Sequence, residues 1–328
     1  MTLLAKDYQK KRILLVVFVL FLLGSGCALK ERVFTGQQSG AAGVPPSEVQ
    51  AEQVLPESET ENENETQAAV PDINEANTGS SETSSSPPEP LAITNSQLSN
   101  TKYGWGLVRN NKHLQPEMPA SISERLSRYG AYWIGDPAEK VVYLTFDNGY
   151  ENGYTAKILD ALKANEVKAA FFVTGHYLND QPELIKRMVN EGHIVCNHTD
   201  THPSLPDVSD EQIIKEIQIV EQDFEKITGK KGMKYLRPPQ GEYSERTLAV
   251  TKELGYHNIF WSMAMKDWVP MPGGSQEAYQ SVMDNLHNGA LILLHAVSKD
   301  NADAMDRMLK DIKAQGYTFK TLDDLVNR

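Results

Sequence analysis

VVYLTFDNG, residues 141–149, decides the fold. Six apolar, aromatic or β-branched residues run without a break and stop at Asp147, Asn148 and Gly149. A run of that length ending in turn residues reads as a strand buried on both faces. The same form recurs downstream as AAFFV (169–173), HIVCN (193–197), YLR (235–237), HNIFW (257–261) and ALILLH (290–295). Strands are therefore expected at 141–146, 169–173, 194–197, 234–237, 257–261 and 290–295, with another at 317–320. Between them apolar residues fall at helical spacing: Ile158, Leu159 and Leu162; Leu184, Ile185, Met188 and Val189; Ile213, Ile214, Ile217, Val220 and Phe224. Ser209 stands as N-cap to the last of these helices. Alternating strand and helix predicts an α/β fold with parallel strands, here a distorted (β/α) barrel of about seven strands. No internal repeat is visible.

The barrel does not account for the first hundred residues. Lys10, Lys11 and Arg12 precede an eleven-residue apolar run, 13–23, and then Gly24-Ser25-Gly26-Cys27. This is the pattern of an export signal, and it is shorter than the roughly 20 apolar residues that span a bilayer. Cys27 after small residues marks a candidate lipidation site, so residues 1–27 read as a signal or membrane anchor. Residues 28–100 are rich in Glu, Ser, Asn and Pro and read as a disordered tether. Residues 1–30 carry a net charge of +4 and residues 31–95 carry −11; with −12 for the whole chain, −5 remains for residues 96–328. A basic patch for nucleic acid is therefore not expected. A coil of about 65 residues spans roughly 40–50 Å, enough to let a domain at 101–328 reach into a cell wall. Cys196 is the one cysteine beyond the signal, and inside HIVCN it reads as a small buried hydrophobe.

Polar clusters close the apolar runs: TFDNG (145–149), HTDTH (198–202), RPPQG (237–241), DW (267–268) and LLH (293–295). In barrels of this kind, catalytic groups collect at the C-terminal ends of strands. His198 and His202 are four residues apart, a spacing at which two imidazoles can reach one cation. Asp147 and Asn148 leave the first strand together, and of two neighbours at a strand end one can face a metal and the other a substrate. Arg237, stiffened by Pro238 and Pro239, can grip a carboxylate in bidentate fashion. Asp267 can fix the tautomer of a histidine, and His295 ends the last apolar run. His176 follows a strand and is a candidate for lining the cleft.

In that order and over some 150 residues, the five motifs resemble the polysaccharide deacetylases, carbohydrate esterase family four, also called the NodB homology domain. TFDNGYENGYT, VTGHYLNDQPELIKRMVNEGH, YLRPPQGEYSE and NADAMDRMLKDIKAQGYTFKTLDDL are similar to the delta-lactam-biosynthetic de-N-acetylase branch, and the likeness covers about residues 101–328. The resemblance implies Asp147 as general base, oriented by Arg237, and His295 as general acid, tuned by Asp267. It implies His198, His202 and Asn148 as ligands of a divalent metal, zinc being the commonest occupant with cobalt or manganese as alternatives. It makes Trp268 a wall of the sugar pocket, sets Leu293 beneath the acetyl methyl, gives Gln240 a backbone amide for the oxyanion, and counts Pro239 among the substrate-binding residues. Two departures stand out. Asn148 replaces the usual aspartate ligand, and an amide oxygen is a poorer donor than a carboxylate. Ala264 stands where many relatives carry another aspartate.

What the resemblance implies is metal-assisted hydrolysis of the N-acetyl amide of N-acetylmuramic acid in peptidoglycan, leading to the muramic δ-lactam of spore cortex. An exported enzyme at the outer face of the membrane, with a glycan strand as partner, is the matching expectation. Rival readings are an N-acetylglucosamine deacetylase or acetyl-xylan esterase with the same motifs. A rival of another class is a wall-glycan-binding module whose chemistry has lapsed.

Overall fold

The computed structural model describes residues 98–108 and 112–327. The expected signal, Cys27 and nearly all of the expected tether lie outside the described residues. Eight parallel strands form the sheet: β1 (Val141–Asn148), β2 (Ala170–Val173), β3 (Ile194–Asn197), β4 (Tyr235–Leu236), β5 (His257–Asn258), β6 (Met263–Ala264), β7 (Ala290–His295) and β8 (Thr318–Phe319). Seven follow one hydrogen-bonded path, β5-β4-β3-β2-β1-β7-β6, and β8 pairs beside the start of β1. β5 and β6 do not pair with each other, so the sheet curls into a half-barrel with one open side. Among the described residues no helix is long and apolar enough to cross a membrane.

Period-two alternation explains how this sheet makes a site. All eight residues of β1 are buried. Val142, Leu144 and Phe146 pack outward against the helices, while Val141 and Tyr143 face inward with Ala170, Phe172, Cys196, Tyr235 and Leu291. Phe146 stacks on Phe171 at 5.1 Å between ring centroids; removing such a buried ring costs about 3–5 kcal/mol. The same alternation carries Thr145 and Asp147 to the inner face, one layer above Tyr143. Cys196 is wholly buried and its thiol pKa is pushed well up by burial, as a packing residue requires.

The surrounding helices are α1 (Ala120–Arg128), α2 (Thr155–Ala164), α3 (Gly175–Asp180), α4 (Pro182–Asn190), α5 (Asp210–Thr228), α6 (Glu245–Glu253), α7 (Gly274–Asp284), α8 (Lys299–Ala314) and α9 (Leu322–Val326). Ser209 caps α5 by accepting from the Gln212 amide, and Gly229 ends it at φ 70°, where a side chain is costly. His176 sits exposed on α3, a helix not expected from the sequence, and does not line the cleft. β6 is likewise unexpected, since two residues give no periodic signal.

An arm ahead of the barrel, residues 101–108, is tied into the domain. Tyr103–Gly104 pairs antiparallel with Glu242–Tyr243, and the Trp105 ring stacks on Phe260 at 4.5 Å. The last residues assigned to the tether also belong here: Leu98 packs on the cluster of Leu126, Tyr243 and Phe260, and Asn100 donates to the Pro206 carbonyl at 2.9 Å.

Candidate active site

A cleft of about 690 Å³ opens over the C-terminal ends of the strands. Its lining includes Asp147, His198, His202, Gln240, Trp268, Leu293 and His295, drawn from five separate strand ends. Asp147 and His295 are register partners on adjacent strands, so both project inward at the same height.

Arg237 is fully buried beneath them, its guanidinium 4.0 Å from the centre of the Phe172 ring. Its Nη1 donates to Asp147 Oδ1 at 2.6 Å and its Nη2 to Thr145 Oγ1 at 2.8 Å, while Nε donates to the Ile259 carbonyl at 3.1 Å. The bidentate grip expected from the sequence is thus a single-point one, because Thr145 takes the second nitrogen. Asp147 Oδ2 is left toward the cleft, 3.5 Å from His198 Nε2. Burial alone would raise the Asp147 pKa, but the charges of Arg237, His198 and His295 outweigh it and hold the carboxyl below its usual range.

Asp267, 1 % exposed, spends both oxygens on one segment. Oδ1 accepts from His295 Nδ1 at 2.7 Å; Oδ2 accepts from the His295 amide at 2.9 Å and from Asn301 Nδ2 at 2.5 Å. Burial disfavours the His295 imidazolium, yet the hydrogen bond and charge of Asp267 prevail and its pKa is raised. With Nδ1 engaged, Nε2 is the nitrogen available to the cleft. Trp268, half exposed, meets the His295 ring edge-on at 5.0 Å.

The HTDTH loop is compact. Thr199 and His202 take φ of 66° and 60°, a left-handed conformation uncommon outside glycine. The turn brings the two imidazoles to 4.7 Å between ring centroids. His198 Nδ1 pairs with the Arg237 carbonyl at 2.8 Å, which leaves Nε2 with its lone pair. Burial lowers the His198 pKa to about 4, with His202 adding to the effect against the pull of Asp147; His202 is lowered by its own burial. Both rings are therefore neutral near neutral pH, the form that binds a metal. From beneath, buried Glu216 on α5 accepts from the Thr201 amide at 2.7 Å and the Thr201 hydroxyl at 2.8 Å.

Asn148 does not line the cleft. It is fully buried at the end of β1, its Nδ2 turned toward α2 and 3.5 Å from Thr155 Oγ1, in a network with Tyr177 and Glu151. Its Oδ1 is buried and accepts no hydrogen bond. No three His, Cys, Asp or Glu side chains form a metal-binding group among the described residues. Two neutral imidazoles and an unspent buried amide oxygen nevertheless make a donor set that suits a divalent ion. Pro239 is buried behind the wall, and Pro238 lines the cleft instead. Gln240, at φ 60°, and Leu293 both line it, as does Ala264. Gly241 cannot carry a side chain: a Cβ would lie 2.8 Å from the Trp261 ring and 2.9 Å from Trp105 Cβ. Asn301, Glu216, Lys266 and Tyr150 are not singled out by the sequence; the first two sit on helices, with no motif to mark them.

Residues 134–259 match the family model for polysaccharide deacetylase. The chain is 48 % identical over 228 residues to peptidoglycan-N-acetylmuramic acid deacetylase PdaA of Bacillus subtilis, covering 69 % of this chain and 87 % of that protein. It is 53 % identical over 237 residues to an uncharacterised 30.6 kDa protein of Geobacillus stearothermophilus, covering 72 % and 89 %. The solved structure of Bacillus subtilis PdaA, a family 4 carbohydrate esterase, superposes with a TM-score of 0.67 at 47 % identity, over 70 % of this chain and 98 % of that one.

Proposed function

The chain belongs to the polysaccharide deacetylase family, and from that premise we propose that it hydrolyses the N-acetyl amide of N-acetylmuramic acid in peptidoglycan. The observation that carries the reading is Asp147 and His295 projecting side by side into one cleft, with the paired imidazoles of His198 and His202 also lining it.

In this reading Asp147 is the general base. Arg237 occupies Oδ1, so Oδ2 takes the proton of the attacking water. From the neighbouring strand His295 stands protonated and gives its Nε2 proton to the amide nitrogen. The sugar then departs as an amine while acetate carries away the former water oxygen. A lowered carboxyl pKa and a raised imidazole pKa keep base and acid in their working forms together. His198, His202 and the Asn148 amide oxygen would hold a divalent cation, with zinc the commonest for such donors and cobalt or manganese as alternatives. Such an ion supplies Lewis-acid polarisation of the acetyl carbonyl and a more acidic water. The Gln240 backbone amide would donate to the developing oxyanion, Trp268 would wall the sugar, and Leu293 would lie under the acetyl methyl.

The freed amine sits on the carbon next to the one bearing the lactyl ether. Condensation with the lactyl carboxyl, with loss of water, gives muramic δ-lactam, the spore-cortex product we assign to this enzyme. We locate the reaction outside the cytoplasmic membrane, with residues 1–27 as export signal, Cys27 as a lipid anchor and residues 28–97 as the tether.

The test is to incubate peptidoglycan with the full-length enzyme and added divalent ion, digest it, and identify by mass spectrometry which sugar has lost an acetyl group. Loss from muramic acid sustains the reading. Loss from glucosamine alone replaces it with the N-acetylglucosamine alternative, and release of no acetate under any added ion favours a binding module.

A further inference from the structure

We propose that Lys266 selects the muramic sugar by pairing its ammonium with the lactyl carboxylate. This rests on the muramic reading above and adds to it the group that would tell the two wall sugars apart. Lys266 lines the cleft, exposed, between Met265 and the Asp267 that holds His295. Among the described residues that line the cleft it is the one lysine or arginine. The nearby guanidinium, Arg237, is buried and spent on Asp147, Thr145 and a backbone carbonyl. Among the described residues Lys266 makes no ion pair and no side-chain hydrogen bond. Its neighbours in the wall use theirs: Asp267 on His295 and Asn301, and Trp268 on the His295 ring.

The chemistry of the sugar says where an anion must fall. Muramic acid differs from glucosamine by a lactyl ether on the carbon adjacent to the one bearing the acetamide. With the acetyl carbon between Asp147 and His295, the lactyl carboxylate emerges a few bonds away, at the rim rather than the floor. Residues 265–268 form the wall on the His295 side, and a lysine there offers a flexible point charge that needs no fixed geometry. Residues 96–328 carry a net charge of −5, so an anionic sugar gains nothing from the domain's overall field and depends on a local cation. Glucosamine brings no anion, and for it Lys266 contributes nothing.

The experiment compares K266A, K266E and K266R with the wild-type chain on two muramic glycans. One has free lactyl carboxylates, and the other has them converted to neutral methyl esters. On the free acid, K266A should raise KM about fivefold to tenfold with kcat within about twofold, the scale of a partly exposed charged contact. K266E should raise KM further, K266R should restore it, and added salt should erode the wild-type advantage. On the ester all four should behave alike. Equal losses on acid and ester, or an unchanged KM on the acid, would overturn the assignment of Lys266 and leave the muramic reading standing. A wild-type chain inactive on both muramic glycans but active on glucosamine oligomers would overturn both.

Discussion

Asp267 commits both carboxylate oxygens to one histidine and its backbone, and that single residue sets the protonation of the proposed acid. The sign of the resulting pH effect follows from the shift. His295 must be protonated to donate, so the rate falls as pH rises through its raised pKa. Asp267→Asn keeps an acceptor for Nδ1 but removes the charge, leaving burial to lower the imidazole pKa. The alkaline limb of the kcat profile should then move to lower pH, with activity above neutrality falling about tenfold or more and activity below neutrality much less affected. A profile lowered uniformly, with no displacement of that limb, would remove His295 as the acid. Lys266 and Asp267 are sequence neighbours with separate readouts: the first moves KM on anionic sugar, the second moves the pH limb on any substrate.

At the scale of elements, the sequence made the inward-facing half of the site legible and concealed its supports. VVYLTF and ALILLH are long enough to declare buried strands, and alternation along them then sends Asp147 and His295 to one side together. Asn148, next in the chain, is wholly buried and turns its Nδ2 toward Thr155 on α2, so adjacency in sequence to Asp147 does not mean sharing its partners. Met263–Ala264 is invisible as a strand because two residues carry no period. Glu216 is invisible for another reason: it lies on α5, where an acidic residue among many gives no hint of reaching a loop fifteen residues earlier. Its role is open to measurement. Glu216→Ala leaves the Thr201 amide and hydroxyl without their acceptor, beneath a loop already held in two left-handed conformations. Stability should drop by about 2–3 kcal/mol in denaturant titration, and divalent-ion affinity measured by calorimetry should weaken along with activity. Glu216→Gln keeps one acceptor oxygen and should recover most of both; equal ion affinity in the alanine variant would show that the loop needs no such support.

For the molecule as a whole, the open side of the half-barrel matters as much as the closed one. β5 and β6 do not pair, and the chain between them carries Phe260, Trp261 and Ser262, of which the last two line the cleft. The arm that precedes the barrel supports this gap from outside. Trp105 stacks on Phe260, its Nε1 donates to the Trp261 carbonyl at 2.9 Å, and its amide donates to the Gly241 carbonyl at 2.9 Å. One side chain and its backbone therefore join the RPPQG wall to the segment that bridges the unpaired strands. The arm carries no helical or strand period in its sequence, because its order comes from these contacts. Trp105→Ala removes a large ring from a cluster with Trp133, Tyr243 and Phe260. A stability loss of about 2–3 kcal/mol is expected for a partly buried tryptophan. Because the two walls it joins both face substrate, KM should rise at temperatures where the variant is still fully folded. Trp105→Phe, which keeps the stacking but not the Nε1 hydrogen bond, should recover most of the stability and only part of the KM. A variant that loses stability with KM unchanged would mean that the arm braces the fold without shaping the cleft.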